Sequence, residues 1–185
     1  AGGRLDVADR FAGPELLPDM TFRLLPLAES CLPACLELAC ASVAGLAGRQ
    51  YDERQRAAWV TALQQSAPGW PACLRAGSGW LALDAEGQPA GFAWRVAAEV
   101  DMLYVTPAAA RRGIGRALLA RLTDDMAGQP GPWLAAVSDT ALPLFEQAGW
   151  QCCEREVVVR DGVEIPRSRM KHVSGAAGDQ SVTGE

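Results

Sequence analysis

The sequence predicts one α/β domain, in which a mixed central sheet carries helices on both faces. Hairpin turns join most of the early strands, and from about residue 105 onward strands and helices alternate. This order is typical of a sheet that combines antiparallel pairs with a crossover through a helix. The chain has 185 residues, of which 49% are hydrophobic, so it can bury one core without disulfides or a metal.

Three elements are predicted ahead of the central strands. They are a strand over 21–27, a helix over 29–44 and a second helix over 52–65. The second helix begins with a capping-box pattern, because Gln55 follows Asp52 by three residues. The segment SAPGWP at 66–71 combines serine, glycine and proline, and it therefore predicts an irregular connection.

The remaining elements are predicted from alternating apolar residues, helical periodicity and glycine-containing turns. The strands are expected at 80–84, 90–96, 99–105, 133–137, 151–159 and 163–171. Helices are expected over 113–127 and 140–148. No internal repeat is visible, so all of these elements are assigned to one unit.

The two ends of the chain are predicted to lie outside this domain, which spans 20–172. Residues 1–19 carry acids such as Asp6 and Asp9 and no basic stretch before an apolar one, so we expect an extension and no secretory signal. The Gly-, Ser- and Ala-rich residues 173–185 predict a disordered tail. No stretch of roughly 18–20 residues is uninterruptedly apolar, so we expect a cytoplasmic protein without a membrane partner.

Charge and cysteine usage exclude two further classes of function. A net charge of −5 argues against a nucleic-acid partner, which a basic patch would recognise. The six cysteines form no C-x-x-C pair and the chain has one histidine, so we expect buried or free thiols and no metal site. Cys152 and Cys153 are adjacent on a predicted strand, where neighbouring side chains point to opposite faces, which disfavours a redox pair.

The most informative segment is the turn that joins the third central strand to the next helix. Gly113 and Gly115 lie where this turn enters the helix, so a ligand can approach the backbone closely. The amide groups at a helix N-terminus bind phosphate, and Arg111, Arg112 and Arg116 add positive charge. Taken alone, the turn predicts either an anion site or an ordinary helix start.

The context of the turn narrows this choice. A P-loop would need G-x-x-x-x-G-K-[ST], and a dinucleotide fingerprint would need a third glycine where Leu118 stands. The segment 103–119, LYVTP and then RRGIGRALL, instead resembles motif A of the GNAT acetyltransferases. ALPLFEQAGW at 141–150 resembles the family's A-x-x-[LF]-[YF]-E-x-x-G-[FW] helix and turn. Residues 51–59 and 100–103 are similar to small bacterial YafP-like members of that family.

The resemblance covers about residues 21–171 and implies a mostly antiparallel mixed sheet that splays open at the cofactor site. It also implies acetyl-CoA as co-substrate and no metal. The residues that it assigns to the cofactor are Leu103, Tyr104, Val105, Arg111, Arg112, Gly113, Ile114, Gly115, Arg116, Ala117, Ser138 and Phe145. Ala110 departs from the family's Gln or Arg, Arg111 from a common glycine, and Phe145 from a tyrosine that protonates the leaving thiolate in many members.

Acetyl transfer to an amine needs a base, because an alkylamine with a pKa of about 10.4 is protonated near pH 7. Asp101 and Glu99 lie two apart on one strand and are expected to share a face. In the family this strand supplies the base in several members, and Asp101, between Val100 and Met102, is the stronger candidate. The alternative is that both are solvated carboxylates on the rim of the sheet.

Two other side chains are candidates for the acceptor side. Tyr51 follows the first helix in a region that frames the acceptor pocket in this family, so we predict that it binds substrate, with structural packing as the alternative. His172 lies at the end of the last strand, far along the chain from the turn at 111–117, which is called the phosphate turn, and is the weaker candidate.

The hypothesis that follows is an acetyl-CoA-dependent N-acetyltransferase that acts on a small-molecule or peptide amine in a ternary complex, as a monomer or a homodimer. The alternatives are a non-catalytic acyl-CoA-binding module, which Phe145 and Ala110 favour, and a transferase that uses another acyl-CoA. Free thiol release from acetyl-CoA separates the enzyme from the module.

Overall fold

The computed structural model describes residues 22–127 and 131–172, so the predicted extension at 1–19 and the predicted tail at 173–185 lie outside the described residues. The strands are β1 (Phe22–Pro26), β2 (Gly77–Asp84), β3 (Pro89–Val96), β4 (Glu99–Val105), β5 (Trp133–Ser138), β6 (Gln151–Arg160) and β7 (Val163–His172). The helices are α1 (Leu32–Leu46), α2 (Glu53–Ser66), α3 (Trp70–Arg75), α4 (Ile114–Met126) and α5 (Leu142–Gln147).

The strands form one seven-stranded sheet in the order β1-β2-β3-β4-β5-β7-β6. Neighbouring strands are antiparallel except for β4 and β5, which run parallel and are connected through α4. The predicted fold class, a mixed and mostly antiparallel sheet between helices, is therefore confirmed.

Each face of the sheet has its own hydrophobic core. Helices α1, α2 and α3 cover one face, where Trp70 of α3 packs against Phe92 and Trp94 of β3. Helices α4 and α5 cover the other face, and α4 buries Leu118 and Leu122 completely. Because full burial of such a side chain contributes about 1.5–3 kcal/mol, both helix layers are held firmly on the sheet.

Helix α1 and the turn before it form the most apolar helical segment in the part of the chain that the structure describes. Glu29–Leu46 has a mean hydropathy of 1.3 over 18 residues, which by length and composition alone would suffice for a membrane span. This differs from the expectation that no stretch qualifies, since Glu29 and Glu37 interrupt the segment without lowering its mean hydropathy enough. The inward side of α1, including Cys35 and Leu38, packs in the core, and a core helix has the same composition.

The predicted connection at 66–71 is wrong in part. Trp70 begins helix α3, which extends to Arg75, and β2 starts at Gly77. Pro71 lies in the first turn of α3, where proline is tolerated because the amide there needs no helical acceptor. The predicted capping box of α2 is confirmed, because the Asp52 carboxylate accepts the Gln55 amide at 2.8 Å.

Candidate functional site

A β-bulge in β4 lies at the centre of the candidate site. Trp94 of β3 faces Met102, but the next residue, Arg95, faces Val100. One step along β3 thus corresponds to two along β4, and Asp101 is the extra residue. The bulge turns Asp101 to the face of the sheet that α2 covers, where its Oδ2 accepts the Trp94 indole N–H at 2.7 Å.

Strands β4 and β5 diverge directly after this bulge. Their parallel pairing includes Glu99 and Val100 and then ends, although the strands continue to Val105 and Ser138. A cavity of about 70 Å³ lies in the gap, and Ser138 and Phe145 are among its lining residues. The splay implied by the family resemblance is therefore present.

The turn after β4 presents backbone amides at the N-terminus of α4. Gly113 caps the helix with a φ of 84°, and its carbonyl accepts the Ala117 amide at 3.0 Å. By helix geometry, the amides ahead of Ala117 point out of the helix end, where the helix dipole favours an anion. The side chains of Arg111, Arg112 and Arg116 are exposed around this end.

Two positions of the turn favour glycine for different reasons. Arg111 has a φ of 64°, in the left-handed region where glycine is comfortable, which explains why glycine is common there in the family. Gly115 instead allows close packing, because a Cβ added there would lie 3.1 Å from Leu144 Cδ2 of α5. A larger residue at this position would therefore require Leu144 or the start of α4 to shift.

The other residues predicted to bind the cofactor fall into two groups, those whose side chains are packed in the core and those whose side chains line a cavity. Leu103 and Val105 pack against the core beneath α4, Ile114 is buried within it, and Ala117 packs against it. These four can offer the ligand backbone atoms and little side-chain surface. Tyr104 lies on the opposite face of β4 and lines both the gap and the larger cavity described below.

Ser138 and Phe145 lie on the far side of the gap from β4. The Ser138 hydroxyl accepts the Ala141 amide at 3.3 Å, so it stabilises the start of α5. Phe145 is 3% exposed and packs edge-on against Trp150, with ring centroids 5.2 Å apart. Phe145 therefore forms a wall of the gap, and its side chain has no acidic group that could donate a proton.

A second, larger cavity of about 580 Å³ lies between α2 and the face of the sheet opposite α4. Trp59 and Leu63 of α2 form one wall, and strands β4 to β7 form the others. Asp101, Tyr104 and Ser138 line both this cavity and the gap. The two spaces are thus contiguous, and the gap leads from the α4 side towards the larger cavity.

The two carboxylates predicted to share a face both line this larger cavity, but their partners differ. Glu99 Oε1 accepts a hydrogen bond from Arg169 Nη1 at 2.8 Å, which ties it into an ion pair. Asp101 is exposed, is held by the Trp94 indole and lies nearer to the gap along β4. Asp101 is consequently the carboxylate better placed to accept a proton.

The hydroxyl of Tyr51 is occupied by the protein itself. It donates to the Pro166 carbonyl at 2.8 Å and accepts the Asp139 amide at 2.8 Å. Tyr51 is 2% exposed, and its ring packs against Trp59. Tyr51 therefore supports the cavity wall, and any contact with an acceptor would come from its ring.

Tyr104 is the second tyrosine of the site. Its hydroxyl accepts the Trp59 indole N–H at 3.2 Å. Burial raises the pKa of this hydroxyl well above its usual value, with the Trp59 hydrogen bond acting in the opposite direction. Tyr104 therefore stays protonated and neutral through the ordinary pH range.

His172 lies away from the cavity. Its ring stacks on Trp133 with centroids 5.2 Å apart, and it packs against Trp150 in the core under α4 and α5. Neither cavity includes it among its lining residues. This placement does not favour a catalytic role.

The larger cavity has a basic wall that was not predicted from the sequence and consists of Arg160, Arg167 and Arg169 on the β6–β7 hairpin. The alternation I-P-R-S-R at 165–169 was a signal for it, because residues two apart on a strand share a face. Only the order of the strands, which sets β7 beside β5, brings this face towards Asp101.

Comparisons with known proteins show the family to which the chain belongs. The family model described as acetyltransferase (GNAT) domain matches residues 50–171, which span β4, the phosphate turn, α4, α5 and the hairpin. The uncharacterized N-acetyltransferase YafP of Escherichia coli K12 is 31% identical over 126 residues, or 68% of this chain and 79% of the relative. The chain belongs to the GNAT family of acetyltransferases.

Solved structures of GNAT proteins share the fold. A GCN5-related N-acetyltransferase from Rhodopseudomonas palustris superposes with a TM-score of 0.76 at 25% identity, covering 86% of this chain and 98% of that one. The acetyltransferase yncA of Salmonella typhimurium, solved with its cofactor acetyl-CoA, has a TM-score of 0.56 at 20% identity, covering 86% and 98%. The GNAT fold therefore extends over nearly all of the described residues.

Proposed function

We propose that this GNAT protein transfers the acetyl group of acetyl-CoA to a primary amine, with both substrates bound together. The observation that carries the proposal is the gap between β4 and β5, which connects the α4 side of the sheet to the cavity beneath α2. A donor held at α4 and an acceptor held in the cavity would meet at Asp101 and Tyr104.

The phosphate turn fits the pyrophosphate of a CoA thioester. The surface there is electropositive, because it combines the amides at the start of α4 with the exposed guanidinium groups of Arg111, Arg112 and Arg116. The small residue Gly115 keeps the backbone accessible. Acetyl-CoA would supply an activated acetyl group, and the pantetheine arm would follow the gap lined by Ser138 and Phe145.

Asp101 would act as the base for the amine. The Trp94 indole N–H fixes one carboxylate oxygen and leaves the other free for the proton of an incoming ammonium group. Deprotonation of an alkylammonium ion at pH 7 costs roughly 4–5 kcal/mol, so a positioned carboxylate has a large effect on the rate.

The leaving thiolate needs no dedicated acid in this proposal. A thiol has a pKa of about 8.5, so the thiolate is a tolerable leaving group near neutral pH, and Phe145 offers no proton. Tyr104 retains its proton and lines the gap, so its hydroxyl can donate a hydrogen bond there.

A thiol-release assay with acetyl-CoA and a panel of small amines, amino acids and peptides tests the proposal. We expect thiol release that depends on the amine, and mass spectrometry should find the acetylated amine. Tight acetyl-CoA binding, measured by calorimetry, without turnover on any amine would favour a non-catalytic acyl-CoA-binding module. Faster release from propionyl- or succinyl-CoA would instead identify a different acyl donor.

A further inference from the structure

The basic wall of the larger cavity contains one guanidinium group that differs from its neighbours. Arg169 is paired with Glu99 at 2.8 Å, and Arg167 is paired with Glu156 at 2.5 Å. Across the described ranges, Arg160 makes no ion pair within 4.0 Å, and its one side-chain hydrogen bond is a long one of 3.4 Å to the adjacent Val159 carbonyl.

Once these ion pairs are set aside, one negative and one positive charge remain unpaired among the residues that line the cavity. The Glu99 carboxylate is matched by Arg169, and the Arg167 guanidinium is matched by Glu156. Asp101 and Arg160 are left without a countercharge, and both line the cavity. Both also lie close enough to the Tyr104 hydroxyl for their charges to act on it, in opposite directions.

We propose that the acceptor is an amino acid, whose carboxylate binds Arg160 while its amine lies at Asp101. This inference rests on the proposed acetyl transfer and narrows its acceptor to amines that carry a carboxylate. The forked N–H groups of a guanidinium match the two oxygens of a carboxylate, which gives both affinity and orientation.

The same wall disfavours a polyamine. A second ammonium group in the cavity would face the Arg160 guanidinium, and within a partly enclosed site like charges repel. The volume of about 580 Å³ suits a small molecule, and Trp59, Leu63, Val158 and Ile165 provide apolar surface for a side chain. The cavity is thus matched to an amino acid with an apolar side chain.

Matched probes separate the carboxylate from the rest of the acceptor. L-leucine, L-phenylalanine and L-methionine are each compared with their L-amino-acid amides in steady-state acetylation. An amide has the less basic amine, so reactivity alone would favour it, and a preference for the free acid reports the anion subsite. We expect a KM for the free acids about 10- to 100-fold below that for the amides.

Variants assign the preference to Arg160. Arg160→Gln should raise the KM for the free acids about 10- to 100-fold, while leaving the KM for the amides, kcat and acetyl-CoA affinity within about twofold. Arg160→Lys should restore part of the loss. Arg54→Gln is the control, because Arg54 is an exposed arginine on α2 that does not line the cavity.

The outcomes distinguish this inference from the proposed function. The proposal of an amino-acid acceptor would be overturned if amides or simple alkylamines were acetylated as well as the free acids. It would also be overturned if Arg160→Gln left the KM for the free acids unchanged. Neither result would contradict acetyl transfer itself. If no amine is acetylated, acetyl transfer fails. Calorimetry of L-leucine, L-phenylalanine and L-methionine with the CoA-bound protein then tests the subsite, and binding unaffected by Arg160→Gln would overturn it.

Discussion

The phosphate turn and the larger cavity lie on the two sides of one gap in the sheet and are built in opposite ways. The turn consists of consecutive residues, and its main contribution is backbone amides at the start of α4. The cavity collects side chains from α2 and from strands β4 to β7, which together span residues 53–172. A site made of backbone amides can bind the same cofactor although its side chains vary. A site made of side chains, in contrast, can come to bind a different acceptor after a few substitutions.

The largest expected effect is on the cavity side, at Asp101. Asp101→Asn should lower turnover by roughly 10²-fold or more, because the amide still accepts the Trp94 N–H but cannot take up a proton. Acetyl-CoA affinity, measured by calorimetry, should stay within about twofold of the wild type. Steady-state kinetics with the best acceptor of the panel gives the turnover.

Glu99→Gln is the matched control for this prediction, since Glu99 lines the same cavity but is paired with Arg169. Its turnover should fall much less. If Glu99→Gln is severely impaired and Asp101→Asn retains full turnover, the base is Glu99. If both retain full turnover, the amine reaches the site already neutral.

The next effect lies on the cofactor side, at Gly115. A valine there would press on Leu144, whose Cδ2 would be 3.1 Å from the new Cβ, and would displace the start of α4. Because this displacement moves the amides at the start of α4 away from the pyrophosphate, acetyl-CoA affinity should fall roughly 10- to 100-fold. Calorimetry with acetyl-CoA measures the loss, and circular dichroism confirms the fold.

Gly69→Val is the control for Gly115→Val, because a Cβ at Gly69 would meet nothing within 4 Å. Its acetyl-CoA affinity should match that of the wild type. Unchanged affinity in Gly115→Val itself would mean that the cofactor does not depend on the start of α4.

A smaller effect is expected in the stability of the protein, measured as its free energy of unfolding, when residues of the turn are replaced. Arg111→Gly should raise the free energy of unfolding by up to about 1 kcal/mol, because it removes an L-residue from a φ of 64°. Arg112→Gly removes the same charge from the neighbouring position, whose φ is not in the left-handed region, and should be neutral or destabilising. Urea denaturation of both variants makes the comparison, and equal stability changes would show that Arg111 is unstrained.

The smallest effect is expected at Phe145. Phe145→Tyr should change turnover by less than about twofold, because the leaving thiolate needs no acid from this wall of the gap. Burial raises the pKa values of Tyr51 and Tyr104, so both should keep their protons, and the pH–rate profile should rise without falling before about pH 10. A large gain in turnover for Phe145→Tyr would show that an acid is limiting.

The contrast between the two regions also explains what could be predicted from the sequence. The phosphate turn was predictable because its glycines, arginines and helix start are contiguous and follow a recognisable strand. The position of Asp101 beside the turn was predictable for the same reason, since Asp101 lies on that strand. Its indole partner Trp94 was not, because the contact depends on the bulge between β3 and β4.

The larger cavity was beyond prediction from the sequence for a physical reason. Arg160 and Arg169 lie about sixty residues or more from Asp101 along the chain, and only the β5-β7-β6 order sets them around one cavity. Tyr51 was assigned to the substrate, yet its hydroxyl bonds to Pro166 and Asp139, which no local pattern reveals. Helix α3 was missed because tertiary packing of Trp70 outweighs the breaker composition around it.

The central claim is that donor and acceptor occupy the two sides of the gap at the same time, and initial-rate kinetics test it most directly. The rate of thiol release is measured while acetyl-CoA and the best acceptor are varied against each other. Double-reciprocal lines that intersect are expected for direct attack in a ternary complex. Parallel lines would indicate a covalent acetyl-enzyme and would contradict the account.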